Sequence, residues 1–111
     1  MSEFRKYTIE FLKVLSHPTR LEILDLLKNS EKNSSEIQDL LRRSQSTVSK
    51  HFNMLFENNL IDYEKRDNIK YYKIHNTDIF TLLSNINSIV GNIYKEKFKD
   101  IRDVDVRDIL S

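Results

Sequence analysis

The sequence predicts a mainly helical domain carrying one small β-hairpin, in the order α-α-α-α-β-β-α. Three observations predict it. Apolar residues recur at spacings of three and four along most of the chain, two stretches rich in Ile and Tyr flank Asp67-Asn68, and one glycine and one proline leave little to interrupt helices.

Phe4, Tyr7, Phe11, Val14 and Leu15 stand at helical spacing and predict a first amphipathic helix over Ser2 to Ser16. His17-Pro18 breaks it. Proline fits a helix's first turn, where its missing N–H has no partner anyway, so a second helix is expected from Pro18 to Lys28 with Leu21, Leu24 and Leu27 facing inward. Asn29 to Lys32 is polar and turn-like. Asn33-Ser34-Ser35-Glu36 then resembles a capping box with Asn33 in the place of Ser or Thr, opening a third helix with Ile37, Leu40 and Leu41 that ends near Arg43. Ser44 is a good N-cap for a fourth, in which Val48, Phe52 and Leu55 recur at i, i+4 and i+7. Two short helices joined by a tight turn make a helix-turn-helix. Leu60 to Arg66 and Ile69 to His75 read as the strands of a hairpin, because Asp67-Asn68 tolerates the positive backbone angles of a two-residue turn. That hairpin is the wing of a winged helix-turn-helix. Ile79, Leu82, Leu83, Ile86, Ile89, Val90 and Ile93 predict a last helix from about Thr77 to Lys99, fraying around Gly91. Residues 1–99 thus form one DNA-binding and dimerisation domain, and 100–111 a tail or short helix.

A length of 111 residues fits one such domain, and 39% apolar with 32% charged residues is the balance of a chain that folds. Cysteine is absent, which removes disulfides and thiolate metal ligands and points to the cytoplasm. Met1 to Glu10 mixes charge with apolar residues, unlike the apolar core of about 7–15 residues in a signal peptide, and no run approaches the ~20 apolar residues of a membrane span. The net charge of +1 excludes little, but its distribution is uneven. Between Arg42 and Lys73 stand Arg42, Arg43, Lys50, Lys65, Arg66, Lys70 and Lys73, against only Glu57, Asp62, Glu64 and Asp67. Such a local basic excess suits a phosphate backbone, as it also suits a solvated face.

Four segments, in order, resemble the ArsR family of bacterial and archaeal repressors. Leu15-Ser16-His17-Pro18-Thr19-Arg20-Leu21-Glu22-Ile23-Leu24 is similar to the family's entry into the second helix, and Ser44-Gln45-Ser46-Thr47-Val48-Ser49-Lys50-His51-Phe52 to its recognition helix. Asn59-Leu60-Ile61 and Asp67-Asn68-Ile69-Lys70-Tyr71-Tyr72-Lys73-Ile74 resemble its wing. The similarity runs from about Phe4 to Val90. The glycines usual before the first wing strand and at the wing tip are here Asn59 and Asn68, and Asn is the residue next most tolerant of left-handed geometry. Metal-responsive members carry a Cys-x-Cys pair on the third helix, or carboxylate and histidine ligands on the last. Here the third helix reads Ser35-Glu36-Ile37-Gln38-Asp39-Leu40 and the last has no histidine, so no metal site of the family's kind is expected.

A recognition helix reads base edges with short polar side chains and long donors. With Val48, Phe52 and Leu55 inward, Gln45, Ser46, Ser49, Lys50 and Asn53 face outward and Thr47 lies at the border. Gln45 and Asn53 suit paired bonds to adenine and Lys50 suits guanine. The hydroxyls of Ser44, Ser46, Thr47 and Ser49 suit base edges or phosphates, although such a cluster also caps and solvates any helix. Arg42 and Arg43 end the preceding helix, where cations favour its dipole and also lie within reach of a backbone. Lys65, Arg66 and Lys70 flank the wing tip, positioned for phosphate or minor groove, or simply to keep an edge strand in water. His17, His51 and His75 share no helical ligand spacing, and no phosphate loop, activated nucleophile or carboxylate pair suggests catalysis. No enzyme activity and no cofactor are expected.

The apolar stripe of the last helix, Ile79, Leu82, Leu83, Ile86, Ile89, Val90 and Ile93, and Phe4, Tyr7 and Phe11 of the first exceed what so small a domain covers internally. Pairing these helices across a two-fold axis, as the resemblance also implies, sets two recognition helices roughly 34 Å apart and calls for an inverted-repeat operator. The expectation is a homodimeric, sequence-specific regulator of double-stranded DNA, a repressor before an activator. Its rivals are a winged-helix protein-interaction module of the transcription machinery and a sequence-indifferent architectural DNA binder. No signal for a small-molecule effector is present.

Overall fold

The computed structural model describes residues 2–97, so the expected tail 100–111 and the expected end of the last helix at Lys99 lie outside the described residues. The elements are α1 (Glu3–Leu15), α2 (Pro18–Leu27), β1 (Lys32–Asn33), α3 (Ser34–Leu41), α4 (Gln45–Glu57), β2 (Ile61–Arg66), β3 (Ile69–Ile74) and α5 (Asp78–Lys97). The order matches the expected winged helix-turn-helix, with one strand added. The chain divides into two units, one up to Asn76 and one from Thr77 onward.

Caps set the helix boundaries of the first unit. Ser2 Oγ accepts from the Arg5 N–H at the start of α1. His17 takes the N-cap of α2, its Nδ1 accepting from the Thr19 N–H at 3.1 Å while Pro18 fills the first turn. The capping box at α3 is complete: the Glu36 N–H donates to Asn33 Oδ1 at 2.9 Å and the Asn33 N–H to Glu36 Oε1 at 3.0 Å. Arg42 closes α3 in the left-handed region at φ 54°, and the Arg43 N–H reaches back to the Gln38 carbonyl. Asn59, Asp67 and Asn68 adopt φ of 60°, 51° and 62°. The asparagines therefore supply the left-handed geometry that glycine supplies elsewhere in such folds, and Asp67-Asn68 forms a primed two-residue turn that matches the twist of β2 and β3.

The core of this unit joins Val14 and Leu15 of α1, Ile23, Leu24 and Leu27 of α2, Ile37 of α3, Val48, Phe52 and Leu55 of α4, and Leu60, Ile61 and Tyr72 of the hairpin region. One inward expectation fails: Leu21 is 37% exposed. On α3 Ile37 is buried while Leu40 is 56% exposed. On α2 the buried stripe centres between Ile23 and Leu27, more than about 100° around the helix from Leu21, so Ile23 joins Leu24 as a fully buried residue in its stead.

The sheet order is β1-β3-β2, antiparallel throughout. Lys32 pairs with Tyr72 and Asn33 with Tyr71, so part of the segment that reads in sequence as a turn and cap is a short edge strand. The cap geometry itself explains the difference, because an extended N-cap residue is indistinguishable in sequence from one that also pairs with a strand. Alternation along β2 and β3 gives the hairpin two faces. Tyr63 and Tyr72 turn toward α4, Tyr72 stacking on Phe52 with ring centroids 3.9 Å apart, whereas Arg66 lies over Tyr71 on the opposite face. In the second unit α5 runs unbroken through Gly91, which is buried, where fraying was expected. No helix among the described residues is long and apolar enough to cross a membrane.

Candidate nucleic-acid interface

The polar edge of α4 is built by its own periodicity. Gln45, Ser49 and Asn53, each four residues apart, form one stripe beside the buried Val48, Phe52 and Leu55. The aromatic stack of Phe52 on Tyr72, continued by Tyr63 and Phe56, seats the hairpin against the same helix. The result is a groove of about 570 Å³ in which Gln45, Ser49 and Asn53 face Lys65 and Lys70 of the hairpin. Lys70 also lies over the Tyr63 ring at 4.6 Å, which holds its ammonium on the α4 side of the sheet.

The other expected contacts are sorted by the fold. Ser46 and Lys50 are exposed on α4 next to that stripe but do not line the groove. Ser44 caps the helix: its Oγ accepts from the Thr47 N–H at 3.3 Å, donates to Thr47 Oγ1 at 3.0 Å and lies 3.2 Å from Ser46 Oγ, so Ser44 and the half-buried Thr47 serve the helix terminus first. Arg42 and Arg43 are exposed at the turn between α3 and α4. Arg66 is not brought to the groove. It lies on the far face of the hairpin, paired with Glu31 and, at 3.5 Å, with Glu64. Conversely, Asn33, Ser34 and Ser35 line the groove although sequence reasoning gave them only a capping role. Their placement follows from the β1–β3 pairing, for which a two-residue strand leaves no periodic signal.

Each histidine is engaged within the fold. Sequence spacing kept His17 and His51 apart, but the packing of α2 and α4 brings their rings to 4.4 Å. Arg20 Nε–H donates to His51 Nδ1 at 3.2 Å and its Nη1–H to the Val14 carbonyl at 3.2 Å, so one guanidinium ties the end of α1, α2 and the recognition helix together. Accepting at Nδ1 requires the neutral ring protonated at Nε2. Burial, followed by electrostatic repulsion of the protonated ring by His17, Arg20, Lys50 and Arg43, lowers the His51 pKa. A depressed folded-state value means that the unfolded chain binds the proton more readily. The stability held by neutral His51 is therefore whole above the ordinary value of 6.5 and declines as pH falls from there toward the depressed folded pKa. Urea midpoints should drop between pH 7.5 and pH 5.5, and His51→Gln should flatten that component. An unchanged pH profile in the variant would remove His51 as its source. His75 sits elsewhere, its Nδ1 2.6 Å from Asp62 Oδ2.

Among the described residues no three His, Cys, Asp or Glu side chains cluster as metal ligands. α3 offers hydroxyl, amide and carboxylate groups, and the chain has no cysteine to supply a thiolate ligand.

Comparison with known proteins agrees with this geometry. The sequence profile of the bacterial regulatory proteins of the arsR family matches residues 17–63, from the α2 cap into β2. The chain is 35% identical over 78 residues to the arsenical resistance operon repressor of Staphylococcus aureus, covering 70% of this chain and 75% of that one. It is 31% identical over 83 residues to the transcriptional repressor SdpR of Bacillus subtilis, covering 75% and 89%. In fold it is similar to the homodimeric winged helix-turn-helix DNA-binding domain of Mb0332 from Mycobacterium bovis, with a TM-score of 0.71 and 22% identity over 81% of this chain and 87% of that one. With the helix-turn-helix, the wing and these relatives in agreement, the chain belongs to the ArsR family of bacterial regulatory proteins and is a winged helix-turn-helix transcriptional regulator, not an enzyme.

Proposed function

We propose that the protein is a repressor that binds an inverted-repeat operator as a homodimer. The observation that carries this reading is the groove lined both by the polar stripe of α4 and by Lys65 and Lys70 of the hairpin. Base-edge readers and phosphate-binding cations stand on facing walls there, as they must if one duplex is to be read and gripped together. Gln45, Ser49 and Asn53 address bases, joined by Ser46 and Lys50 on the adjoining stripe. Lys65 and Lys70 hold phosphate from the wing, Arg42 and Arg43 from the turn, and Ser44 and Thr47 keep the helix end pointed at the backbone.

Two exposed apolar faces support the dimer. On α1, Phe4 is 82% and Tyr7 68% exposed, with Phe11 half-buried, and on α5 Leu82, Ile86, Ile89 and Ile93 are exposed while Leu83 and Val90 are half-buried. Each face gains by burial against a second copy. Ile79, expected among these contacts, is only 5% exposed and offers a partner almost no surface. The S. aureus and B. subtilis relatives are named repressors and the M. bovis domain is described as homodimeric, which favours the same assignment here.

Selection of random duplexes on the purified protein, followed by anisotropy titration of the winner and a scramble at several salt concentrations, tests the reading. An enriched inverted repeat bound far more tightly than the scramble is expected, with sedimentation showing a dimer at micromolar concentration. Equal, salt-sensitive binding of both duplexes would indicate an architectural DNA binder, and absence of binding a protein-interaction module. Sedimentation as a monomer alone would reject the dimer.

A further inference from the structure

The three cations that flank the tip of the hairpin are not equivalent. Lys65 and Lys70 line the groove beside α4, whereas Arg66, one residue from Lys65 and so on the other face of β2, is already engaged. Its Nη2–H donates to Glu31 Oε1, its Nη1 lies 3.5 Å from Glu64 Oε2, and its guanidinium carbon sits 4.0 Å from the Tyr71 ring centroid. These contacts cross the sheet. Arg66 pairs with Ile69, Tyr71 is its diagonal neighbour on β3, and Glu31 immediately precedes β1 on the far side of β3. The side chain thus links the outer strand β2 to the segment before β1, by way of the ring between them.

The tip needs such a link. The β1 pairing reaches only Tyr71 and Tyr72, so Lys65 to Lys70 have no strand neighbours except one another, and an isolated two-stranded ribbon is marginal in water. Because side chains alternate, whatever anchors the Arg66 face also fixes where Lys65 and Lys70 stand on the other. The Glu31 carboxylate is held below its ordinary range chiefly by its hydrogen bond from Arg66, with the nearby Lys73 charge adding to the effect, and Arg66 is raised chiefly by the same bond. A phosphate approaching Arg66 would have to displace two carboxylates.

We propose that Arg66, through Glu31 and the Tyr71 ring, is a positioning residue that holds the wing so that Lys65 and Lys70 face the recognition helix, and that it is not itself a phosphate ligand. The proposal rests on the DNA-binding reading above. Its test has one arm without DNA. Amide exchange of Ile69 to Tyr71 is compared in the wild type, Glu31→Gln, Arg66→Gln and the double variant. Each single change should speed exchange about 2- to 5-fold, the range of an exposed ion pair with good geometry, and the double change no further than either alone. In the second arm both single variants weaken all duplexes alike, while the slope of log affinity against log salt keeps its wild-type value. Multiplying effects in the double variant would overturn the clamp. So would a slope shallower by about one unit per protomer in Arg66→Gln together with tighter binding by Glu31→Gln, since Arg66 would then be a phosphate ligand with Glu31 as its competitor. If the wild type binds no duplex, the DNA-binding reading fails by itself, and the exchange cycle still decides the clamp.

Discussion

Phe52→Ala should destabilise the protein by about 3–5 kcal/mol, the usual cost of removing a buried phenyl ring. Phe52 is 1% exposed and its ring lies nearly parallel to that of Tyr72, with 7° between the planes. The substitution removes a side chain from the centre of α4 and also the surface on which β3 rests, so little of the cavity can collapse. A loss of that size is a large part of the ~5–15 kcal/mol that holds a domain of this length together. Phe56→Ala is the control. The Phe56 ring is 42% exposed and meets Tyr63, tilted at 5.2 Å, so its loss should cost distinctly less, the ring pair contributing about 0.5–1.5 kcal/mol beyond the smaller area it buries. Urea denaturation of the two variants beside the wild type measures the difference. Equal losses would mean that the hairpin is not supported by the Phe52 ring.

Gln45→Ala combined with Asn53→Ala should collapse sequence discrimination while leaving the fold intact. Both side chains are exposed on the groove wall and no core residue leans on them, so the circular dichroism spectrum and urea midpoint should be unchanged. A paired amide–adenine contact contributes about 1–3 kcal/mol against the wrong base, so the loss of two removes roughly 2–6 kcal/mol of preference per half-site between the selected duplex and its scramble. Lys70→Ala should behave differently. It removes one phosphate contact from each protomer, so both duplexes weaken together and the salt slope of the dimer becomes shallower by about 1.8. The two signatures separate readout from grip. Should the double variant keep its preference, α4 is not the element that reads bases, and the proposed operator recognition would have to pass to the wing.

Local signals make most of the chain legible as sequence. The α3 capping box is visible because its two hydrogen bonds join residues three apart, and the α4 stripe of Gln45, Ser49 and Asn53 because helical geometry alone puts them on one face. The hairpin is visible for the same kind of reason, since Asp67 and Asn68 tolerate positive φ whatever surrounds them. Leu21 shows where that reasoning stops: spacing places it on an apolar arc, but which part of the arc turns inward depends on what α2 packs against.

Everything that joins distant residues was decided by tertiary structure. His17 of the α2 cap meets His51 of α4, Arg20 binds His51 from another helix, and Glu31 captures Arg66 from the far side of the sheet. In sequence Lys65 and Arg66 are interchangeable neighbours with the same charge. In the fold, alternation along β2 places one in the groove and the other on the opposite face, paired with two carboxylates. The sequence by itself determined the elements other than β1, their order, the N-caps of α3 and α4 and the polar edge of the recognition helix, because each depends on contacts within a few residues. Which cations face that edge, which histidine is buried and neutral, and which leucines reach the core were settled only when the elements packed, because a side chain's charge state and partners depend on what lies across from it in space.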